Sequence, residues 1–377
     1  MPSLPGTVAL PDPLVGQSMD SILEGLAQDD ILNAKELVQW ENRVSFNDIA
    51  ARQGIRIRRH NHPTASLKEI EEELGAPRNI LEKIIWDKEI EVAEGHKVDK
   101  IANTQMQSQG RAKMPLEEVT QAARKAPPPR DFYGALEAAY KRNGVPALIA
   151  EVKKASPSRG VLRENFNPYV LGSLAVKPRV EIAQAYEKNG AACLSILTDE
   201  KYFQGSFENL EKVRTSGVKC PLLCKEFVVD KWQIYNARSK GADAILLIAA
   251  VLPDLDIRNF LQICEELGMT ALIEVHDERE MERVLKINGV KLIGINNRSL
   301  ETFVVDTSNT KMLLEKHGDS IREKGILVVG ESGLFTPDDV AYVQNAGVSA
   351  VLVGESLVKQ ECPGRAIVGL FGKELLH

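Results

Sequence analysis

The sequence predicts an α/β chain folded as a closed (β/α)8 barrel, a TIM barrel, with an N-terminal helical extension. Three observations predict it. Apolar runs of strand length recur about eight times between helical patterns, and eight is the strand number at which a parallel sheet closes on a side-chain-filled core. The runs are nearly continuous in apolar residues, as burial on both faces of a parallel sheet requires, whereas a sheet with one wet face alternates. Polar residues stand at the C-terminal end of most runs and not at a single crossover, which favours the barrel over the competing doubly wound open sheet.

Along the chain, residues 1–76 read as an extension, partly flexible, and residues 77–377 as the barrel, with helices ahead of a first barrel strand near residue 147. Met1 to about Val15 is rich in Pro, Gly and small residues and lacks the charged start and apolar core of a secretory signal. Ser18 to Arg52 combines acids with a helical rhythm, unlike a basic, acid-poor transit peptide. Ile55-Arg56-Ile57-Arg58-Arg59-His60 reads as a solvated basic face or linker. Asn79 is placed to cap a helix over Ile80–Ala93, whose Ile80, Leu81, Ile84, Ile85, Ile90 and Val92 form one apolar face. A weaker helix is expected over Leu116–Ala123. A third follows Pro127-Pro128-Pro129, over Asp131–Lys141. These helices either cover the N-terminal end of the barrel or flank its mouth.

The first strand leads from Ala147–Ile149 into Ala150-Glu151-Val152-Lys153, and Ala191–Leu197 is the second. Cys220–Cys224 delivers Lys225-Glu226-Phe227, Ala244–Ala249 follows, and Thr270–Ile273 delivers Glu274-Val275-His276. Lys291–Ile295 leads into Asn296-Asn297-Arg298, Ile326–Gly330 into Glu331-Ser332-Gly333, and Ala350–Val353 into Gly354-Glu355-Ser356. Helical patterns between them include Ile182–Asn189, Phe260–Leu267, Glu278–Ile287 and Pro337–Asn345, several closing on glycine.

Composition excludes some functions. A chain of 377 residues exceeds the roughly 250 a barrel takes, so something lies outside it. A net charge of -6 argues against a dominant nucleic-acid or anionic-membrane surface. No apolar run approaches the ~20 residues of a membrane span, so a soluble protein is expected. The 5 cysteines read as core thiols of a reducing compartment, with Cys220 and Cys224 on one strand. The 6 histidines lack metal-site spacing; His276 and His317 read as isolated, and no metal is expected.

The strand ends carry the candidate chemistry. Glu151 and Lys153, two apart, share a face, while Lys154 points to the other and reads as structural. The glycine-flanked ends at Glu331-Ser332-Gly333 and Gly354-Glu355-Ser356 suit a phosphate, since barrels bind one with backbone N–H groups after the last two strands. Lys153 and Lys225 at one mouth are expected to lower each other's pKa, making one an acid usable near neutrality. The competing reading pairs them with Glu151 and Glu274 as structural ion pairs.

Five motifs together resemble indole-3-glycerol phosphate synthase, a barrel enzyme of tryptophan biosynthesis, from about Pro77 to the C-terminus. They are Ile149–Ser158, Leu197–Ser206, Cys224-Lys225-Glu226-Phe227, Gly294–Arg298 and Glu331-Ser332-Gly333. The resemblance implies ring closure, decarboxylation and dehydration of 1-(2-carboxyphenylamino)-1-deoxyribulose 5-phosphate. It implies that Lys225 is the general acid and Lys153 holds the substrate carboxylate, with Glu274 and Glu151 as the carboxylates of the acid–base set. Which of them takes the final proton stays open. By the same resemblance Asn296 and Glu331 bind substrate hydroxyls, supported by Arg298. Ser156, Ser332, Gly333, Gly354 and Glu355, the last through its backbone N–H, surround the phosphate, and Phe203 and Phe227 pack on the anthranilate ring. No cofactor is expected, because the intermediate already contains the iminium that accepts the decarboxylation electrons.

Glu226 where Asp is usual, Ser299 after the Asn-Asn-Arg run and an insertion over Leu171–Lys177 depart from the common microbial pattern. Glu226 and Ser299 look like the plant enzymes, as do Leu246–Leu252 and the Ile55–Arg59 strip. The resemblance therefore implies a protein of the plastid stroma, its transit peptide absent from this chain, or otherwise a cytoplasmic one. Expected partners are a small phosphorylated substrate, neither nucleic acid nor membrane, and a tryptophan synthase subunit docking on Ser18–Arg59; a monomer or weak oligomer is expected. A phosphoribosylanthranilate isomerase would instead carry a Cys/Asp pair at its strand ends. A non-catalytic scaffold would be expected to have lost one of Glu151, Lys153, Lys225 or Glu274.

Overall fold

The computed structural model describes residues 46–60, 66–96, 114–163, 178–300 and 302–376. Eight parallel strands close into a barrel: β1 (Ala147–Val152), β2 (Cys193–Leu197), β3 (Leu222–Lys225), β4 (Ala244–Ile248), β5 (Thr270–Val275), β6 (Leu292–Asn296), β7 (Leu327–Glu331) and β8 (Ala350–Val353). Each pairs with its sequence neighbours, and β8 returns to β1 through Ala147 beside Ala350. Their burial is nearly complete along their length, which explains the unbroken apolar runs. The register sets Leu197 beside Lys225, Glu274 beside Gly294, and Asn296 beside Glu331.

Ahead of the barrel lie helices α1 (Phe46–Arg52), α2 (Leu67–Leu74), α3 (Ile80–His96), α4 (Leu116–Lys125) and α5 (Phe132–Asn143). The rest of the Ser18–Arg52 stretch, and the Leu171–Lys177 insertion, fall outside the described residues. Barrel helices α6 (Pro178–Lys188), α7 (Phe207–Thr215), α8 (Lys231–Ser239), α9 (Asp254–Glu266), α10 (Glu278–Leu285), α11 (Ser308–Glu323) and α12 (Pro337–Ala346) alternate with the strands, and α13 (Glu355–Val358) and α14 (Pro363–Phe371) follow β8. Asn79 caps α3 as its sequence suggests, its Oδ1 accepting from Glu82 N at 2.9 Å.

The early helices divide between the two ends of the barrel. At the bottom, Arg130 N donates to Asp243 Oδ1 (2.8 Å) and the guanidinium to the carbonyls of Val218 and Cys220, while Phe132 and Leu136 of α5 are fully buried. At the top, Ile80, Leu81 and Ile84 of α3 line the pocket at the strand C-termini. Helix α4 packs outside, its Val119 and Ala123 against Trp232 and Tyr235 of α8.

Two expectations are corrected. The Ile55–His60 strip is not a solvated face: Ile55 and Ile57 are buried, Arg58 lies over the Trp86 ring and bonds Glu82 bidentately, and Arg59 pairs with Glu89 and Asp256. Alternating apolar residues anchor the strip, and acids on α3 and α9 neutralise its cations. Cys220 is not on the strand with Cys224, because β3 begins at Leu222, after Pro221, which has no N–H to give a ladder.

Candidate active site

The pocket at the strand C-termini has a volume of about 160 Å³. Every candidate site residue lines it: Glu151, Lys153 and Ser156 from β1 and its loop, Phe203, Lys225 and Phe227 from the next two strand ends, and Glu274, Asn296 and Arg298 from β5 and β6. Glu331, Ser332 and Gly333 from the end of β7 and Gly354 and Glu355 from that of β8, its neighbour, complete the lining. Lys154 does not line it. After Lys153 the chain forms a short hairpin, Ala155–Ser156 against Gly160–Val161, which sets Ser156 at the rim.

At the floor, Lys225 Nζ lies 2.7 Å from Glu274 Oε2 and 3.2 Å from Glu331 Oε2. Lys153 pairs with Glu151 beside it. Both ion pairs of the structural reading are therefore formed, but within the pocket. The expected mutual depression of the lysines does not hold for Lys225. Burial opposes its charge, yet Glu274, Glu331 and Glu151 outweigh burial and hold its pKa above the ordinary lysine value. The carboxylates around it, and not the second ammonium, set its charge.

The two carboxylates on Lys225 part company. Burial opposes ionisation of Glu274, but Lys225 and His276 overcome it and keep the carboxyl well below its usual range. Glu331 is pushed up to about 8 by burial and by the charge of Glu274, against the pull of Lys225. Its Oε1 is buried without a hydrogen-bond partner. Gly294 makes room for that oxygen, since a Cβ there would stand 2.1 Å from Glu331 Oε1, and Gly354 does the same for Glu151, at 2.2 Å from Oε2.

In the loop after β7, Ser332 (φ 66°) and Gly333 (φ 82°) are both left-handed. Ser332 is a non-glycine residue held in a sparsely populated conformation, as active-site loops tolerate. Glu355 sits among Arg159, Arg298 and Lys359; burial works against its charge, and these cations lower its pKa. Arg298 is fixed from below, its N–H donating to Asn296 Oδ1 at 3.0 Å. Phe203 and Phe227 stand 5.9 Å apart, ring centre to ring centre, on the opposite wall.

The model of the family described as indole-3-glycerol phosphate synthase matches residues 81–370. The chain belongs to the indole-3-glycerol phosphate synthase family. The chloroplastic indole-3-glycerol phosphate synthase of Arabidopsis thaliana is 57% identical over 358 residues, 93% of this chain and 83% of that protein. The indole-3-glycerol phosphate synthase of Rippkaea orientalis is 55% identical over 298 residues, 79% of this chain and 92% of that protein. That of Microcystis aeruginosa is 54% identical over 295 residues, 78% and 90% respectively. As a member of the indole-3-glycerol phosphate synthase family this chain is a carboxy-lyase of tryptophan biosynthesis. Among the described residues no helix is long and apolar enough to cross a membrane.

Reading the indole-3-glycerol phosphate synthase motifs missed two parts of the site and one cluster outside it. Ile80, Leu81 and Ile84 of α3 and Phe303 and Phe335 of the β6 and β7 loops supply apolar wall, and only the apolar face of α3 had a signal in the sequence. His276, read as isolated, stands between Glu274 and Glu280. His317 likewise meets Glu278 and Glu282, where Lys316 already binds Glu278 at 2.6 Å. The first grouping lies within one short stretch from β5 into α10, and the second joins α10 to α11, which sequence spacing does not display.

Proposed function

We propose that Lys225, Glu274, Lys153 and Glu151 carry the conversion of 1-(2-carboxyphenylamino)-1-deoxyribulose 5-phosphate to indole-3-glycerol phosphate. The observation that carries this reading is the Lys225 ammonium, 2.7 Å from Glu274 on the pocket floor. Ring closure puts negative charge on the ketone oxygen, and a positioned ammonium donates to it. An alkoxide is a stronger base than an amine, so a lysine held charged by its carboxylates still gives up its proton to one. Lys153 takes the substrate carboxylate in exchange for Glu151. Carbon dioxide then leaves with its bonding electrons passing to the ring iminium, which restores aromaticity. Dehydration removes hydroxide with a proton from Lys153 and a ring proton to Glu274, the carboxylate that its surroundings keep ionised.

Glu331, neutral near pH 7, and Asn296 are suited to the substrate hydroxyls, with Arg298 supporting them. Ser156, Ser332, Gly333, Gly354 and the N–H of Glu355 suit the phosphate. Phe203 and Phe227 offer faces and edges to the anthranilate ring. Fluorescence of indole-3-glycerol phosphate, followed in steady state with no metal or cofactor added, tests the roles. Wild type is expected to form product, and Lys225→Ala to lose about 10²–10⁴-fold in kcat. Near-wild-type turnover in that variant would remove Lys225 from the acid role.

The chloroplastic relative from Arabidopsis supports placement in the plastid stroma. Import of a tagged precursor into isolated plastids tests it. Of the docking segment proposed for a tryptophan synthase subunit, Ile55–Arg59 is already engaged by α3 and the barrel. The contact then falls to residues further upstream, and a pull-down unchanged by deleting residues 1–45 would count against it.

A further inference from the structure

Two carboxylates share the Lys225 ammonium through one oxygen each, Glu274 Oε2 and Glu331 Oε2. Their second oxygens differ. Glu331 Oε1 is buried without a hydrogen-bond partner, whereas Glu274 Oε1 lies 3.2 Å from His276 Nε2, an ion-pair distance. The other ring nitrogen, Nδ1, is 3.2 Å from Glu280 Oε2, and the same oxygen accepts the His276 backbone N–H at 2.7 Å. Glu280 is itself fixed, its N–H donating to Asp277 Oδ1 in the cap of α10. The His276 carbonyl accepts from Asn309 Nδ2 of α11. The imidazole is therefore oriented from both ends, and a ring between two carboxylates has reason to stay charged.

We propose that His276, held by Glu280, is a positioning residue that decides which of the two carboxylates on Lys225 serves as the base. The proposal rests on the reading of Glu274 as that base. Other charges near the ring do not replace this one. Glu280 reaches it from α10, Asp277 at the cap of that helix accepts from Glu280 N–H, and Arg283 is occupied by Asp254 and by the carbonyls of Ala249 and Leu252. Arg56 lies 3.9 Å from Asp277. Burial works against the charge on His276, but Glu274 and Glu280 push its pKa up to about 10. Behind the ring is a second cavity of about 200 Å³, lined by His276, Asp277, Glu280 and Arg283 on one side and by Gly54–Ile57 on the other. Leu81 and Leu300 line both cavities, so the second abuts the active site without merging with it.

The test is the pH dependence of kcat. An opposite charge within ~4–6 Å lowers a carboxyl pKa by about 1–3 units. In His276→Gln the acidic limb of the profile should therefore move up by about that much, so that activity falls most steeply below neutrality while KM changes little. Glu280→Gln should shift the limb in the same direction and less, and should add nothing in the His276→Gln background, as expected of residues acting through one another. In His276→Ala, added imidazole entering by the second cavity should return part of the lost rate. A folded His276→Gln with the wild-type limb, or Glu280→Gln losses that add fully to it, would overturn the proposal. If His276→Gln does not fold, Glu280→Gln alone decides by the presence or absence of its shift. Glu274→Gln in the same assay separates the two levels: an active Glu274→Gln would sink the base assignment, and an inactive one beside an unshifted His276→Gln would sink only the role of the histidine.

Discussion

Glu274 and Glu331 show how little chemical difference between residues separates two protonation states. Both are glutamates at strand C-termini, on β5 and β7 with β6 between them, and both touch Lys225, yet one stays ionised and the other is pushed up to about 8. The protonation of Glu331 has a consequence for stability. Its pKa is higher in the folded state than in the unfolded chain, so the folded protein holds a proton that the unfolded one releases from about pH 4.5 up to about 8. Stability from this source is complete below that window and is lost as pH rises through it. Glu331→Gln mimics the neutral form, so wild type should lose melting temperature relative to the variant between pH 5 and pH 9, and parallel melting curves across that range would refute the protonated state. Gly294 belongs to the same argument. A methyl there stands 2.1 Å from Glu331 Oε1, a side-chain end that can yield, so Gly294→Ala should fold but displace the carboxyl. A misplacement of about 1 Å costs up to ~10²-fold in rate, and a loss of about 10–100-fold in kcat with an unchanged melting temperature is expected. The two-residue spacing of Glu151 and Lys153 was legible in the sequence because strand geometry alone fixes it. The space that Gly294 keeps for a carboxylate two strand positions up the neighbouring wall was not, since it depends on the register between β6 and β7.

Helix α3 is the element that turns a generic barrel mouth into this pocket, and charge holds it there. Lys88 is buried among Glu91 (2.7 Å), Asp199 (2.9 Å) and Glu226 (3.1 Å), the last two at the ends of β2 and β3. Those carboxylates also fix the aromatic wall. Asp199 Oδ1 accepts from the N–H groups of Tyr202 (2.7 Å) and Phe203 (3.2 Å), and Glu226 Oε1 from Phe227 N–H (2.9 Å). Removing one member of a buried ion cluster leaves the others uncompensated, at a cost of about 3–5 kcal/mol. Lys88→Met should lower unfolding free energy by that order in denaturant titrations and raise KM more than it lowers kcat, because it loosens the aromatic wall of the pocket and not the Lys225 pair. A variant of wild-type stability and KM would show that α3 is held by its apolar face alone. The sequence displayed that apolar face through its period, and it displayed Glu226 as a departure from Asp; what it could not display was that the extra methylene belongs to a carboxylate reaching a lysine on a distant helix. Helix α8 shows the same limit from the other side: its polar Gln233, Asn236 and Arg238 are buried along with Trp232 and Tyr235, so its polarity pattern does not report which face meets solvent.

At the scale of the molecule, the barrel was legible because each strand is buried on both faces and ends in polar residues, a pattern that repeats locally and does not depend on distant contacts. The attachment of the N-terminal segment was not legible, because a basic strip looks the same whether solvent or an acid on another element neutralises it. Arg58 donates to Glu82 at 2.9 Å and 2.8 Å and pairs with a side chain that is 0% exposed; Arg59 reaches Glu89 at 2.5 Å and the Val229 carbonyl at 3.2 Å. Through these two residues the strip ties α3 to the barrel. Truncation separates their contribution from that of the chain before them. All the pocket-lining residues lie between Ile80 and Ser356, so deleting residues 1–45 should leave kcat/KM and the unfolding midpoint unchanged. Deleting residues 1–60 removes both arginines and strands the carboxylate of Glu82 in the interior, which should cost about 3–5 kcal/mol of stability and release α3 from the mouth. Denaturant unfolding and steady-state kinetics on the two truncations together measure it: a loss confined to the longer deletion places the functional start of the enzyme at the Ile55–Arg59 strip, and equal behaviour of the two would mean that the apolar face of α3 holds the helix without the arginines.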